Sequence, residues 1–131
     1  MARIARLFDG LDKTGLPDFS TRRIVKDEDE RSKIKQFLTG GVLILRTSGR
    51  SADALAPEKK RAVPMSYATD GAWIWSRAAA YYLDCHGIAP EEDFLAHILR
   101  CNYSASVPDH DAVKSAVEDL KQHFSTSQNR S

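Results

Sequence analysis

The stretch Val63-Pro64-Met65-Ser66-Tyr67-Ala68-Thr69-Asp70-Gly71-Ala72-Trp73-Ile74-Trp75 decides the fold of this chain. Asp70-Gly71 lies between two short β-favouring runs. That is the strongest short-range hairpin signal, because a type I′ turn needs positive φ at both central residues. A two-residue turn fixes the register: Thr69 faces Ala72, Ala68 faces Trp73, Tyr67 faces Ile74 and Ser66 faces Trp75. Alternation puts Val63, Met65, Tyr67 and Ile74 on one face, and Trp73, Trp75, Ser66 and Ala68 on the other. Two indoles over two small residues leave room for something to pack on them. A helix of the same chain is one cover, since aromatics are mostly core. The other reading makes an indole the anchor for a partner, since Trp is enriched in hot spots.

Upstream of the hairpin, Ser48–Ala62 reads as a mostly polar loop whose far end is basic, with Lys59, Lys60 and Arg61 in a row. A loop this long is uncommon and often functional. Before it, Val42–Leu45 is continuously apolar, which predicts a central strand covered on both faces. Gly40-Gly41 stops the preceding helix. That helix opens at Asp27-Glu28-Asp29-Glu30, with Asp27 as N-cap and acids in the first turn, where the helix dipole favours them. Ile34, Phe37 and Leu38 form its apolar stripe. In residues 1–26, Ile4, Leu7, Phe8 and Leu11 are spaced for a short amphipathic helix. Arg22–Val25 reads as a short strand or a connector.

Downstream, Ser76 is a plausible N-cap for a helix over Arg77–His86, with Ala78, Tyr81, Tyr82 and Cys85 on one side and Gly87 closing it. Pro90 starts a further helix with Glu91, Glu92 and Asp93 in its first turn. That helix buries Phe94, Leu95, Ile98 and Leu99, and Asn102 ends it. Pro108-Asp109 introduces the last helix. Its stripe of Val113, Ala116, Val117, Leu120 and Phe124 has clean helical spacing. Residues 125–131 are polar and predict a disordered tail.

The whole reads as one α+β domain over residues 1–124. A small antiparallel sheet of about three or four strands, on 42–47, 63–69 and 72–75, carries three or four helices on one face. A chain of 131 residues, 42% apolar and 28% charged, suits one ordinary globular domain. Nineteen basic against eighteen acidic residues leave a net charge of +1. That gives no electrostatic case for nucleic acid or an anionic membrane. Neither a secretory signal nor a membrane-spanning run is read, so a cytoplasmic location is expected.

Chemistry is sparse. Cys85 and Cys101 have no close second cysteine, and both are expected as buried free thiols. Asp84-Cys85-His86 is not a thiol–imidazole site on a helix, because neighbouring residues do not face each other. His86, His97, His110 and His123 lack short-spaced ligand pairing, so no metal is expected. Phosphate-loop, dinucleotide, nucleophile-elbow and zinc-protease motifs are missing, so no cofactor and no catalytic residue is assigned. Asp70 is first of all a turn former.

The stretch from Val63 to Trp75, together with Ala80-Tyr81-Tyr82-Leu83, His86-Gly87 and Pro90…Leu95-Ala96-His97-Ile98, resembles small uncharacterised bacterial proteins, frequent in actinobacteria. They share a PMSF-TDG-WVW…AYYL…HG core. This chain departs from it mildly at Tyr67 and Ile74, and the resemblance covers about residues 40–99. Some of these proteins look like immunity partners of polymorphic toxins. The resemblance therefore implies a protein partner, such as a toxin domain, and no catalytic residue.

Two function classes follow. The first is a non-catalytic cytosolic protein-binding domain, of the immunity type. Its candidate contacts are Asp27, Glu28, Glu30, Lys59, Lys60, Asp70, Trp73 and Trp75, and alanine at either Trp is expected to weaken binding without unfolding. The second is a small enzyme or ligand-binding domain with a pocket between hairpin and helices. Tyr67, Tyr81, Tyr82, Cys85, His86 and His97 would line that pocket. A homodimer through an exposed hairpin edge stays open.

Overall fold

A computed structural model describes residues 2–7, 19, 22–45, 50, 51, 53, 55, 56, 58–60 and 62–128. In chain order the elements are β1 (Arg3–Ile4), α1 (Glu28–Leu38), β2 (Val42–Leu45), β3 (Arg50–Ser51) and β4 (Val63–Pro64). They continue with β5 (Tyr67–Thr69), β6 (Trp73–Ser76), α2 (Ala78–His86), α3 (Glu92–Arg100) and α4 (His110–Gln128). The fold is α+β. A four-stranded sheet runs β1-β6-β5-β2, and β3 pairs with β4 in a separate ribbon.

The hairpin forms where expected, but its turn is larger. Thr69 pairs with Ile74, Ala68 with Trp75 and Tyr67 with Ser76. The cause is the Asp70 side chain. Its Oδ1 accepts from the amides of Ala72 and Trp73 at 3.0 and 2.9 Å, and Thr69 Oγ1 donates to the Trp73 carbonyl at 2.7 Å. These bonds satisfy a wider loop, in which Gly71 (φ +96°) takes positive φ and Asp70 does not. The pairing moves by two residues, so the period of two keeps Tyr67 and Ile74 on one face and Ala68, Trp73 and Trp75 on the other. Val63, expected on the Tyr67 face of one strand over 63–69, instead leaves the sheet for the β3–β4 ribbon and packs with Ala78, Tyr82 and Ile88.

Those faces are both covered by helices, not one. Trp73, Trp75 and Ala68 sit in the main core with Ile34, Phe37 and Leu38 of α1 and Phe94, Leu95 and Ile98 of α3. On the other side Ile74 packs with Ala116 and Leu120 of α4, flanked by Ile4, Ile44, Tyr67 and Phe124. An apolar stripe on α4 and an apolar second face on the hairpin cover each other.

The sheet is mixed, because β1 joins β6 in parallel. The amides of Arg3 and Ala5 donate to the carbonyls of Ala72 and Ile74 at 3.0 and 2.8 Å. Residues 3 and 4 are thus a strand, where the apolar spacing predicts a helix. Completing an open sheet edge stabilises more than a helix nucleus of a turn or two. Phe8 and Leu11, the rest of that expected helix, lie outside the described residues.

Strand β2 is an edge of the sheet rather than its centre. Cover on both faces makes it read as central: Leu43 packs on the main core and Ile44 on the α4 side. It can lie so close to β5 because Gly41 (φ +71°) precedes it. A Cβ there would stand 2.5 Å from the Thr69 carbonyl oxygen.

Helix α1 is capped as expected: Asp27 accepts from the Asp29 amide at 3.1 Å. Ser76 Oγ likewise accepts from the Ala78 amide at 3.1 Å at the start of α2. Leu99 is exposed, against expectation, because α3 needs only Phe94, Leu95 and Ile98 to meet the core. Helix α4 continues to Gln128, past the point where the tail was expected to begin; residues 129–131 lie outside the described residues.

Candidate functional site

Neither indole offers a surface. Trp75 is fully buried and Trp73 is 4% exposed. Trp75 Nε1 donates to the Leu38 carbonyl at 2.9 Å, and Phe94 lies 5.1 and 5.4 Å from the rings of Trp73 and Trp75. Truncating either to alanine removes core packing of about 3–5 kcal/mol, so the expected partner-binding role of Trp73 and Trp75 gives way to a structural one. Asp70 is also buried, at 8% exposure, and is consumed by its turn. Asp27 and Glu28 remain exposed on the first turn of α1, Glu30 pairs with Arg23, and Lys59 and Lys60 are exposed.

Asp70 is one half of a carboxylate–imidazole pair. Its Oδ2 accepts from His97 Nε2 at 2.7 Å, which ties the hairpin tip to α3. His97 and Cys101 stand four residues apart, on one helical face. Cys101 Sγ lies 3.5 Å from His97 Nε2 and 4.0 Å from Nδ1. Asp70, His97 and Cys101 thus present three ligand-type atoms within 4.8 Å of one another, drawn from a turn and a helix. This is not a nucleophilic triad, in which thiol and carboxylate occupy opposite ring nitrogens; here both converge on Nε2. Burial first, and then the Asp70 charge, push the Cys101 thiol up. Cys101 is half-buried and Cys85 exposed, so the expectation of two buried thiols is corrected.

A second pair lies in the 50–64 segment. Asp53 is fully buried. Its Oδ2 accepts from Tyr81 Oη at 2.6 Å and His86 Nε2 at 2.7 Å, and its Oδ1 from the Leu55 amide at 2.8 Å. Burial pushes the carboxyl up, but the hydrogen bonds from His86, Tyr81 and Leu55 outweigh it and hold it down to about 2. The Asp53 hydrogen bond, with burial, pushes the Tyr81 phenol well above its ordinary range. This cluster fastens a segment read from the sequence as an open loop onto α2.

Between α1, α2 and the start of the hairpin lies an open cleft of about 380 Å³. Leu43, Pro64 and Ala80 contribute apolar surface, and Lys35, Arg77 and Asp84 supply charge. A second hollow of about 260 Å³ is lined by Glu28, Arg31, Ser32, Lys35 and Asp84. Lys35 and Asp84, joined by an ion pair of 3.2 Å, line both, so the two hollows adjoin at that pair and together make up an α1–α2 groove in two halves. Each hollow is also lined by an arginine of unmet hydrogen-bonding capacity. Among the described residues, the Nε atoms of Arg31 and Arg77 are the buried side-chain nitrogens or oxygens without a hydrogen-bond partner. Among the described residues, the Arg77 guanidinium reaches the Gly40 carbonyl, at a long 3.4 Å, and burial lowers its pKa.

Of the expected pocket lining, Tyr81 lies in the cleft, while His86 and His97 belong to the two carboxylate pairs. Tyr82 is buried and Cys85 sits on the exposed side of α2. Tyr67 faces α4, where burial raises its pKa. Sequence reasoning missed Asp53, Arg31, Arg77, Lys35 and Asp84. No spacing signal marks them, since the groove is made by two helices meeting. The chain matches no protein-family model, no curated protein and no solved structure with which it was compared.

Proposed function

We propose that the chain is a non-catalytic protein-binding domain whose α1–α2 groove takes an extended acidic segment of its partner. The observation that carries this reading is the pair of arginines, Arg31 and Arg77, each with an unpartnered buried Nε and each lining one half of the groove. A guanidinium offers five donors in a fixed fork that fits a carboxylate. Leaving one unmet inside a protein is costly. A partner carboxylate near either arginine would let the side chain turn and gain a charge-assisted bond. Apolar surface at Leu43, Pro64 and Ala80 would take the segment's apolar side chains. The resemblance to immunity-type proteins makes a toxin domain the first partner to test, and inhibition by such a domain needs a complementary surface rather than reactive groups.

A second reading is a small carboxylate-bearing molecule in the larger hollow, favoured by its 380 Å³ volume, which falls within the usual range for small-ligand sites. Affinity capture from the native host with the tagged chain separates the two. The protein-binding reading expects one stoichiometric partner, retained by a Lys59→Ala/Lys60→Ala variant and lost by folded Arg77→Gln. Equal capture by wild type and Arg77→Gln overturns the groove as the site. A bound small acid and no protein favours the second reading.

A further inference from the structure

The groove does not use the cluster of Asp70, His97 and Cys101. We propose that these three residues bind a divalent transition metal ion of the zinc class, fixing the tip of the β5–β6 hairpin to helix α3. The donor set is the first argument. A thiol, an imidazole and a carboxylate are the three ligand types that zinc takes from proteins. Among the described residues they are the cluster with metal-ligand atoms gathered within 4.8 Å.

Geometry is the second. Zinc–sulfur and zinc–nitrogen bonds of about 2.3 and 2.0–2.1 Å at a tetrahedral angle place S and N about 3.6 Å apart. Cys101 Sγ and His97 Nε2 are 3.5 Å apart. The Asp70 oxygen is nearer to Nε2, at 2.7 Å, because a hydrogen bond joins them. Two light donors on one zinc stand about 3.3 Å apart, so the pair opens by about half an ångström, and the ion replaces the shared proton.

The support around the donors is the third. Asp70 Oδ1 is held by the amides of Ala72 and Trp73, which aims Oδ2 at His97. Such outer contacts orient metal ligands. Cys101 and His97 are set on one face by α3 itself, and Phe37 stands edge-on to the His97 ring at 5.9 Å. Binding releases the thiol proton to solvent. The His97 proton, shared with Asp70 at Nε2 before binding, passes through solvent to Nδ1, so the ring stays neutral and Nε2 is free to ligate. Thiolate and carboxylate then balance the charge of the ion, and water takes the fourth position.

The test uses the full chain carrying Cys85→Ser, stripped with chelator and titrated with Co²⁺ alone. The site predicts a near-ultraviolet cobalt–thiolate band and visible bands of four-coordinate cobalt, saturating at one equivalent and bleached by Zn²⁺. Adding Cys101→Ser, a near-isosteric change at a half-buried position, should abolish the thiolate band, and Zn²⁺ should raise the melting temperature of the parent but not of this variant. If the parent gives no thiolate band, or if the band survives Cys101→Ser, the site does not exist. His97→Gln, where it folds, must also lose the four-coordinate spectrum; an unchanged spectrum overturns the assignment.

Discussion

Two buried carboxylates in this molecule, Asp70 and Asp53, each meet a histidine ring at 2.7 Å, yet they do different work. Asp70 sits inside the hairpin turn, and its other oxygen holds two backbone amides of that turn. Asp53 sits in a segment outside the main sheet, and its neighbours are a phenol and one amide. The first pair closes a core element, so losing it disturbs the register of β5 and β6. The second fastens a peripheral segment onto α2, so losing it frees that segment. The third side chain differs too. A phenol completes the Asp53 cluster as a hydrogen-bond donor, whereas a thiol beside Asp70 and His97 completes a set of metal-ligand types. Similar pairs thus differ by what they anchor and by their third member.

The comparison is broken most directly at Asp70. Asp70→Ala should destabilise the whole chain by about 3 kcal/mol, because it leaves buried amides and His97 without their acceptor. A denaturant titration checks this, and the loss should appear in every probe at once. Asp53→Ala should cost about 2 kcal/mol and act locally. Hydrogen exchange should quicken in residues 53–64 while the β5–β6 amides stay protected. Uniform loss of protection would make the two clusters equivalent.

Acid sharpens the contrast. The Asp53 carboxyl is held down to about 2 in the folded chain, against about 3.9 when unfolded. A depressed folded value means the stabilisation is present above about pH 4 and is lost as the pH falls from about 4 towards about 2. Asp53→Asn should remove that slope from a stability-against-pH curve, and an unchanged slope would assign it to other acids. The smallest effect is chemical. Cys85 is exposed, whereas Cys101 is half-buried with its thiol pushed up by burial and by Asp70. Alkylation near neutral pH should therefore mark Cys85 first, as read by peptide mass mapping.

The sequence carried the local structure well where one residue type determines it. Asp27 caps α1, Gly87 closes α2 with φ +71°, and the alternation in the hairpin assigns each indole to its face. It misled where cover, not composition, decides. The run Val42–Leu45 looks central because helices cover both its faces, yet it is an edge. Ile4 and Leu7 have helical spacing, but an open edge of β6 claims residues 3 and 4. The candidate site was legible only in fragments. His97 and Cys101 are four apart on a readable helix, whereas Asp70, 27 residues away from His97, joins them only through the fold. The groove was not legible at all, because Arg31 and Arg77 acquire meaning only once α1 lies along α2. The indoles were drawn to a partner-binding role by their residue type, and the packing of Phe37 and Phe94 against them places them in the core.

The central claim is that an acidic segment meets Arg77 in the α1–α2 groove, and the Arg77 Nε–H resonance in a ¹⁵N-labelled chain reads it most directly. On adding the captured partner, that signal should move downfield, as a guanidinium proton does when it gains a carboxylate acceptor. A partner that binds stoichiometrically while the Arg77 signal stays unmoved would place the interface elsewhere and contradict the account.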